Sequence, residues 1–236
     1  MASKSNHSIA EQLKAAEIRI TNSLSNDDVK AEVAKKGYTE QKLLEGKALR
    51  EAASAAVSRQ ISLAGAAQEA TALESDSRAI AHKAYQDFAK ICRAKFKAGS
   101  SELVTLGLTG KEPKSTAEFI KVAYILFDNA KTDAAIVDKV KGNGYTVEFL
   151  TEERVKIENY EKANAVQVSI IGDAENATKL QHKALKELNE WISEYTQIAR
   201  VALGDKEKLL EKIGISSAKR GGGRKKKTGN DSAAKK

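Results

Sequence analysis

Along residues 146–203, apolar or small side chains recur every three or four positions, at Ile157, Tyr160, Ala163, Val166, Ile170, Ala174, Ala177, Leu180, Ala184, Leu188, Trp191, Tyr195, Ile198 and Ala202. This is the spacing that puts one face of an α-helix against a core. The only strong helix breaker in the stretch is Gly172, and the stripe crosses it without losing phase. One long helix is therefore expected rather than a hairpin, whose loop would carry two or more polar turn residues; a break at Gly172 is the alternative. A second stripe runs through Ala53, Ala56, Leu63, Ala67, Ala70, Leu73, Ala81, Ala84, Phe88, Ile91 and Lys95, crossing Gly65 in the same way and built of smaller residues suited to close helix approach. Trp191, Tyr195, Ile198, Leu188, Phe88 and Ile91 are the expected core.

Shorter elements precede and follow each stripe. Ser8-Ile9-Ala10-Glu11 and Ser115-Thr116-Ala117-Glu118 read as capping boxes, in which Ser and Glu satisfy free amides of a first helical turn. The helices they open should end near Ser23 and Ala130, the second being the more apolar. Asn26-Asp27-Asp28 and Thr132-Asp133 supply caps for short helices ending near Lys36 and Lys141. Gly37-Tyr38-Thr39 and Gly144-Tyr145-Thr146 supply a left-handed glycine, an anchoring ring and the N-cap of each long helix. Leu106-Gly107-Leu108 and Ile213-Gly214-Ile215 read as C-caps of short closing helices.

These pairings share one offset. Sliding the sequence on itself by 107 positions aligns residues 8–108 with 115–215 without a gap, and 26 of the 101 aligned positions are identical. The expected architecture is all-α: a tandem duplication of a helical unit with one very long helix per repeat, forming an elongated helical bundle. Its divisions are a disordered N-terminus at 1–7, repeat one at 8–108, a linker at 109–114 holding the only Pro, repeat two at 115–215, and a disordered basic tail at 216–236.

Trp191, the run from Ile198 to Leu203, Ile213-Gly214-Ile215 and the segment from Leu106 to Gly110 resemble the closing segments of a group of uncharacterised bacterial all-helical proteins with two tandem repeats. The resemblance implies the fold and a bacterial origin, and no established activity.

Charge separates the tail from the body. Lys219, Arg220, Arg224, Lys225, Lys226, Lys227, Lys235 and Lys236 stand against Asp231 alone, a net +7 of the chain's +8, so residues 1–218 carry about +1. No apolar run approaches the ~20 residues of a membrane span, and the start has no secretory signal, so a cytoplasmic protein is expected. A single cysteine, Cys92, lies on an apolar stripe and reads as a buried structural thiol.

Candidate chemistry is sparse. His7, His82 and His182 are scattered, and His82 and His182 each precede a lysine on what reads as a polar, solvated face. No Glu-x-x-His, cysteine pair or glycine-rich phosphate motif is present, and Arg93 and Arg200 near the long helices' C-termini suit the macrodipole. The expectation is no catalytic residue, no metal and no cofactor. Two functions remain: a non-enzymatic helical structural or interaction protein, self-associating or binding a protein partner; or a nucleic-acid-associated protein whose eight tail cations hold phosphates without sequence preference.

Overall fold

A computed structural model describes residues 8–216; the tail cations singled out above lie outside the described residues. Every regular element among them is helical. In order these are α1 (Ile9–Ser25), α2 (Asp27–Ala34), α3 (Glu40–Lys95), α4 (Ser101–Thr105), α5 (Thr116–Thr132), α6 (Ala134–Val140), a 3₁₀ turn (Lys141–Asn143), α7 (Val147–Ala202) and α8 (Glu207–Lys212). Both long helices are continuous through Gly65 and Gly172.

Local chemistry sets the helix ends. Ser8 and Glu11 form the full capping box, the Glu11 amide donating to Ser8 Oγ at 3.2 Å and the Ser8 amide to Glu11 Oε2 at 2.9 Å. The second box is only half alike. Ser115 Oγ accepts from the Glu118 amide, but Glu118 takes the amide of Lys114 instead, because Ser115 sits at φ −122° where Ser8 sits at −60°. Asn26 and Asp133 cap α2 and α6 through their side chains. Gly37 and Gly144 both take φ +88°, the left-handed conformation that ends a helix cheaply only without a Cβ.

The chain divides into two compact units whose boundaries cut across the expected division into 8–108 and 115–215. One takes the residues up to Ala56 and those from His182 onward; the other takes Val57–Gln181. Each long helix therefore belongs to both units.

In the first unit, α1, α2 and the start of α3 pack on the end of α7 and on α8. Its core holds Ile20, Val29, Val33, Tyr38, Leu43, Leu188, Tyr195, Leu203 and Ile213, each at most 2 % exposed. Lys42 pairs with Glu194 at 3.2 Å, and Gly46 lies against Trp191, so α3 and α7 run antiparallel there.

In the second unit the core gathers Phe88, Cys92, Leu106, Phe119, Leu126, Phe127, Ile136, Leu150, Ile157 and Tyr160. Helix α5 buries six residues against three for α1, in keeping with its more apolar sequence. Ile91 and Ile198 are only half-buried, contrary to expectation; the fully buried positions are the neighbouring Cys92 and Ala199.

Candidate functional site

Two concave regions of the second unit bring aromatic and charged side chains together. The larger, about 770 Å³, is a groove between α5 and α7 lined by Ile120, Tyr124, Ile125, Lys121, Glu161 and Asn164 among others. Its rim is built by charge-assisted bonds. Tyr124 donates its hydroxyl to Glu161 Oε2 at 2.5 Å, and the Arg154 guanidinium lies 4.7 Å from the centre of the Tyr124 ring. Burial and then the Glu161 carboxylate push the Tyr124 phenol up to about 12. It therefore stays protonated and is a donor, not a base, at neutral pH.

The second region, about 390 Å³, opens between α3, the linker and α5, and includes His82, Tyr85, Lys90, Arg93, Glu112 and Phe119. His82 stacks face to face on Phe119, ring centroids 3.8 Å apart and planes 6° from parallel, with Tyr160 edge-on at 6.3 Å. The expectation of a solvated His82 is overturned: its ring is half-buried in an aromatic layer, because Phe119 arrives from a helix distant in sequence. Burial first and the Arg78 cation second hold its pKa below the ordinary histidine value, so it is neutral at pH 7. Burial acts in the opposite direction on its neighbour in the cleft, raising the Tyr85 phenol. His182, by contrast, is exposed, as expected.

The first unit carries an aromatic cluster, and a shallow hollow lined by His182, Leu185, Lys186, Asn189, Glu190 and Ser193. Trp191 stacks on Tyr195 with centroids 5.2 Å apart, and Tyr38 meets Trp191 edge-on at 5.6 Å. The Lys42 ammonium lies 4.4 Å from the centre of the Tyr38 ring. Burial, then the Glu194 carboxylate, raises the Tyr38 phenol well above its ordinary range. The Tyr195 hydroxyl bonds to Ser23 Oγ inside the core. The buried Tyr195 hydroxyl thus has a partner, while Lys42 lies over the face of the buried Tyr38 ring.

Cys92 is fully buried, and burial pushes its thiol up to about 12 against the opposing pull of Arg93, so it is not a thiolate at neutral pH. Among the described residues no three His, Cys, Asp or Glu side chains are grouped to hold a metal ion. None of their helices is long and apolar enough to cross a membrane. The His82 cleft and the rim of the α5–α7 groove were not legible in the sequence, because the residues that form them come from helices that meet only in the fold.

Comparison of the chain with protein-family models, with curated proteins and with solved structures finds no match.

Proposed function

We propose that the chain is a tandemly duplicated, non-catalytic helical protein that acts through its helix surfaces, associating with further copies of itself or with a protein partner. The observation that carries this reading is the apolar surface left on the middle of the long helices. Leu73 and Ile80 on α3 are 57 % and 53 % exposed, and Val166 and Leu180 on α7 are 49 % and 46 % exposed. Leu73 and Ile80 stand two turns apart on one face, the spacing at which a helix offers a stripe to another helix.

The duplication is supported by contacts that recur at the 107-residue offset. Asn22 donates to the Lys212 carbonyl at 2.6 Å, and Asn129, its equivalent, to the Thr105 carbonyl at 2.6 Å. Gly214 packs on Ile18 and Gly107 on Ile125, each glycine at φ +69°.

Sedimentation of the full chain over a concentration series tests the reading, alone and as the variant Leu73→Ser/Ile80→Ser. Association that weakens in the variant is the expected result. A monomer at every concentration, with a metal or nucleotide copurifying in stoichiometric amount on the helical body, would replace this reading with a catalytic or ligand-binding one.

A second reading rests on the tail. A net +7 over residues 219–236 beside a nearly neutral body suits loose phosphate binding to nucleic acid.

A further inference from the structure

The two units share a plan but differ in matched pairs. In the unit of residues 8–56 and 182–216, Gly46 lies under the Trp191 ring: a Cβ at Gly46 would stand 2.4 Å from both Cη2 and Cζ2 of the indole. The positions 107 residues away in the other unit are Glu153 and Ala84, which are 5 % and 6 % exposed. A small residue meets a large one in one unit, and in the other the equivalent buried positions hold the larger residue in place of Gly46 and the smaller in place of Trp191.

Two further pairs follow the same rule. The Tyr195 hydroxyl bonds to Ser23 Oγ, whereas the equivalents Phe88 and Ala130, both fully buried, have no hydroxyl. Asn189 Nδ2 donates to Gln12 Oε1 at 3.0 Å, whereas the equivalents His82 and Phe119 stack at 3.8 Å. Hydroxyl meets hydroxyl, amide meets amide and ring meets ring. Every pair joins the N-terminal part of one repeat to the C-terminal part of the other.

We propose that these pairs are a matching code, by which the N-terminal part of each repeat accepts the C-terminal part of the other repeat and refuses that of its own. Residues 8–56 are the binding surface for 182–215, and residues 115–163 are the surface for 75–108. The inference rests on the duplication proposed above, since the equivalences are drawn through its register.

Same-repeat pairing fails at each position for a physical reason. Glu153 against Trp191 would overlap the indole from its Cβ outward and press a carboxylate on a ring. Gly46 against Ala84 would leave the volume of an indole empty. Tyr195 against Ala130 would bury a hydroxyl without the partner that Ser23 supplies, and Asn189 against Phe119 would lose its surface hydrogen bond to Gln12. A single repeat is accordingly one half of two different interfaces, and neither half fits itself.

Two experiments on the full chain test this. First, a site-specific protease sequence is placed in the exposed linker at 109–114, and the folded protein is cut there. The fragments should stay together as a 1:1 complex of the uncut mass. Once parted in denaturant, they should regain a cooperative unfolding transition only when mixed. A fragment that refolds alone into a homodimer with the midpoint of the mixture would overturn the code.

Second, Ala84→Trp and Glu153→Gly are made singly and together, giving the second unit the pair that the first unit has. Each single variant should lower the unfolding midpoint, and the double variant should recover most of both losses. Losses that simply add overturn the code even if the cut fragments remain 1:1. Fragments that separate and fold singly instead strike at the duplicated plan on which the code rests.

Discussion

The side-chain amide of Asn22 donates to the main-chain carbonyl of Lys212 across 2.6 Å of space and 190 residues of sequence. It satisfies a carbonyl at the end of α8 that has no partner within its own helix, and Asn129 does the same for Thr105 at the end of α4. Asn22→Ala and Asn129→Ala should each cost about 0.5–1.5 kcal/mol, the range for one such hydrogen bond. Urea denaturation of the two variants measures it, with an unchanged m-value if only stability moves. Loss from one site alone would mean that the two ends are not equivalent.

Glycines inside the long helices give opposite signs for one substitution. A Cβ at Gly65 or Gly172 meets nothing within 4 Å, so Ala there should stabilise by about 0.5–1 kcal/mol through lower backbone entropy in the unfolded chain. A Cβ at Gly46 meets the Trp191 ring at 2.4 Å, so Gly46→Ala should destabilise by about 1–3 kcal/mol. Thermal unfolding of the three variants decides it. A stabilising Gly46→Ala would show that the ring can move aside.

Trp191 is 9 % exposed and stacked on Tyr195, and its removal leaves a cavity between α3 and α7 in the first unit. Trp191→Ala should cost about 3–5 kcal/mol. Its fluorescence also reports the unit in which it sits, being the only tryptophan. A loss below about 1 kcal/mol would place the ring outside the core.

His82 makes stability sensitive to mild acid. Burial and Arg78 depress its pKa in the fold, so the unfolded chain takes up the proton first as pH falls. The stabilisation from the neutral stacked ring is therefore intact above the ordinary histidine value of about 6.5 and declines as pH drops below it. Between about pH 7 and pH 5.5 the unfolding midpoint of the native chain should fall more steeply than that of His82→Gln. Parallel curves would mean that protonation leaves the His82–Phe119 stack unaffected.

What the sequence disclosed was local. The caps at Ser8, Asn26 and Asp133, the left-handed Gly37 and Gly144, and the unbroken stripes through Gly65 and Gly172 are set by residues within a turn or two of each other. Gly46 gave no such signal, because its cause is a ring 145 positions further along the chain. His82 looked solvated for the same reason, its stacking partner being on α5. The burial of Cys92 was also legible from its stripe, whereas Ile91 and Ile198 turn only half inward and Ala199 takes the buried position beside Ile198. The sharing of each long helix between two units was hidden as well: a self-alignment reveals what is repeated, not which half packs on which.

The tail from Lys219 to Lys236 should bind polyanions weakly and without sequence preference. It has no aromatic residue on which bases stack, so recognition falls to phosphate contacts alone. Each phosphate neutralised contributes about −0.7 to −0.9 to the slope of log K against log salt concentration. If roughly four to six of the eight cations engage, binding seen at low salt should largely vanish at physiological ionic strength. The measurement compares residues 1–218 with the intact chain on the same single- and double-stranded oligonucleotides across a salt series. Binding by the intact chain alone, with equal affinity for unrelated sequences, is the expected outcome. Equal binding by both proteins would move the contact into a body that carries only about +1, where a slope this steep has no source. Binding by neither would leave the helix surfaces as the part of the molecule that meets a partner.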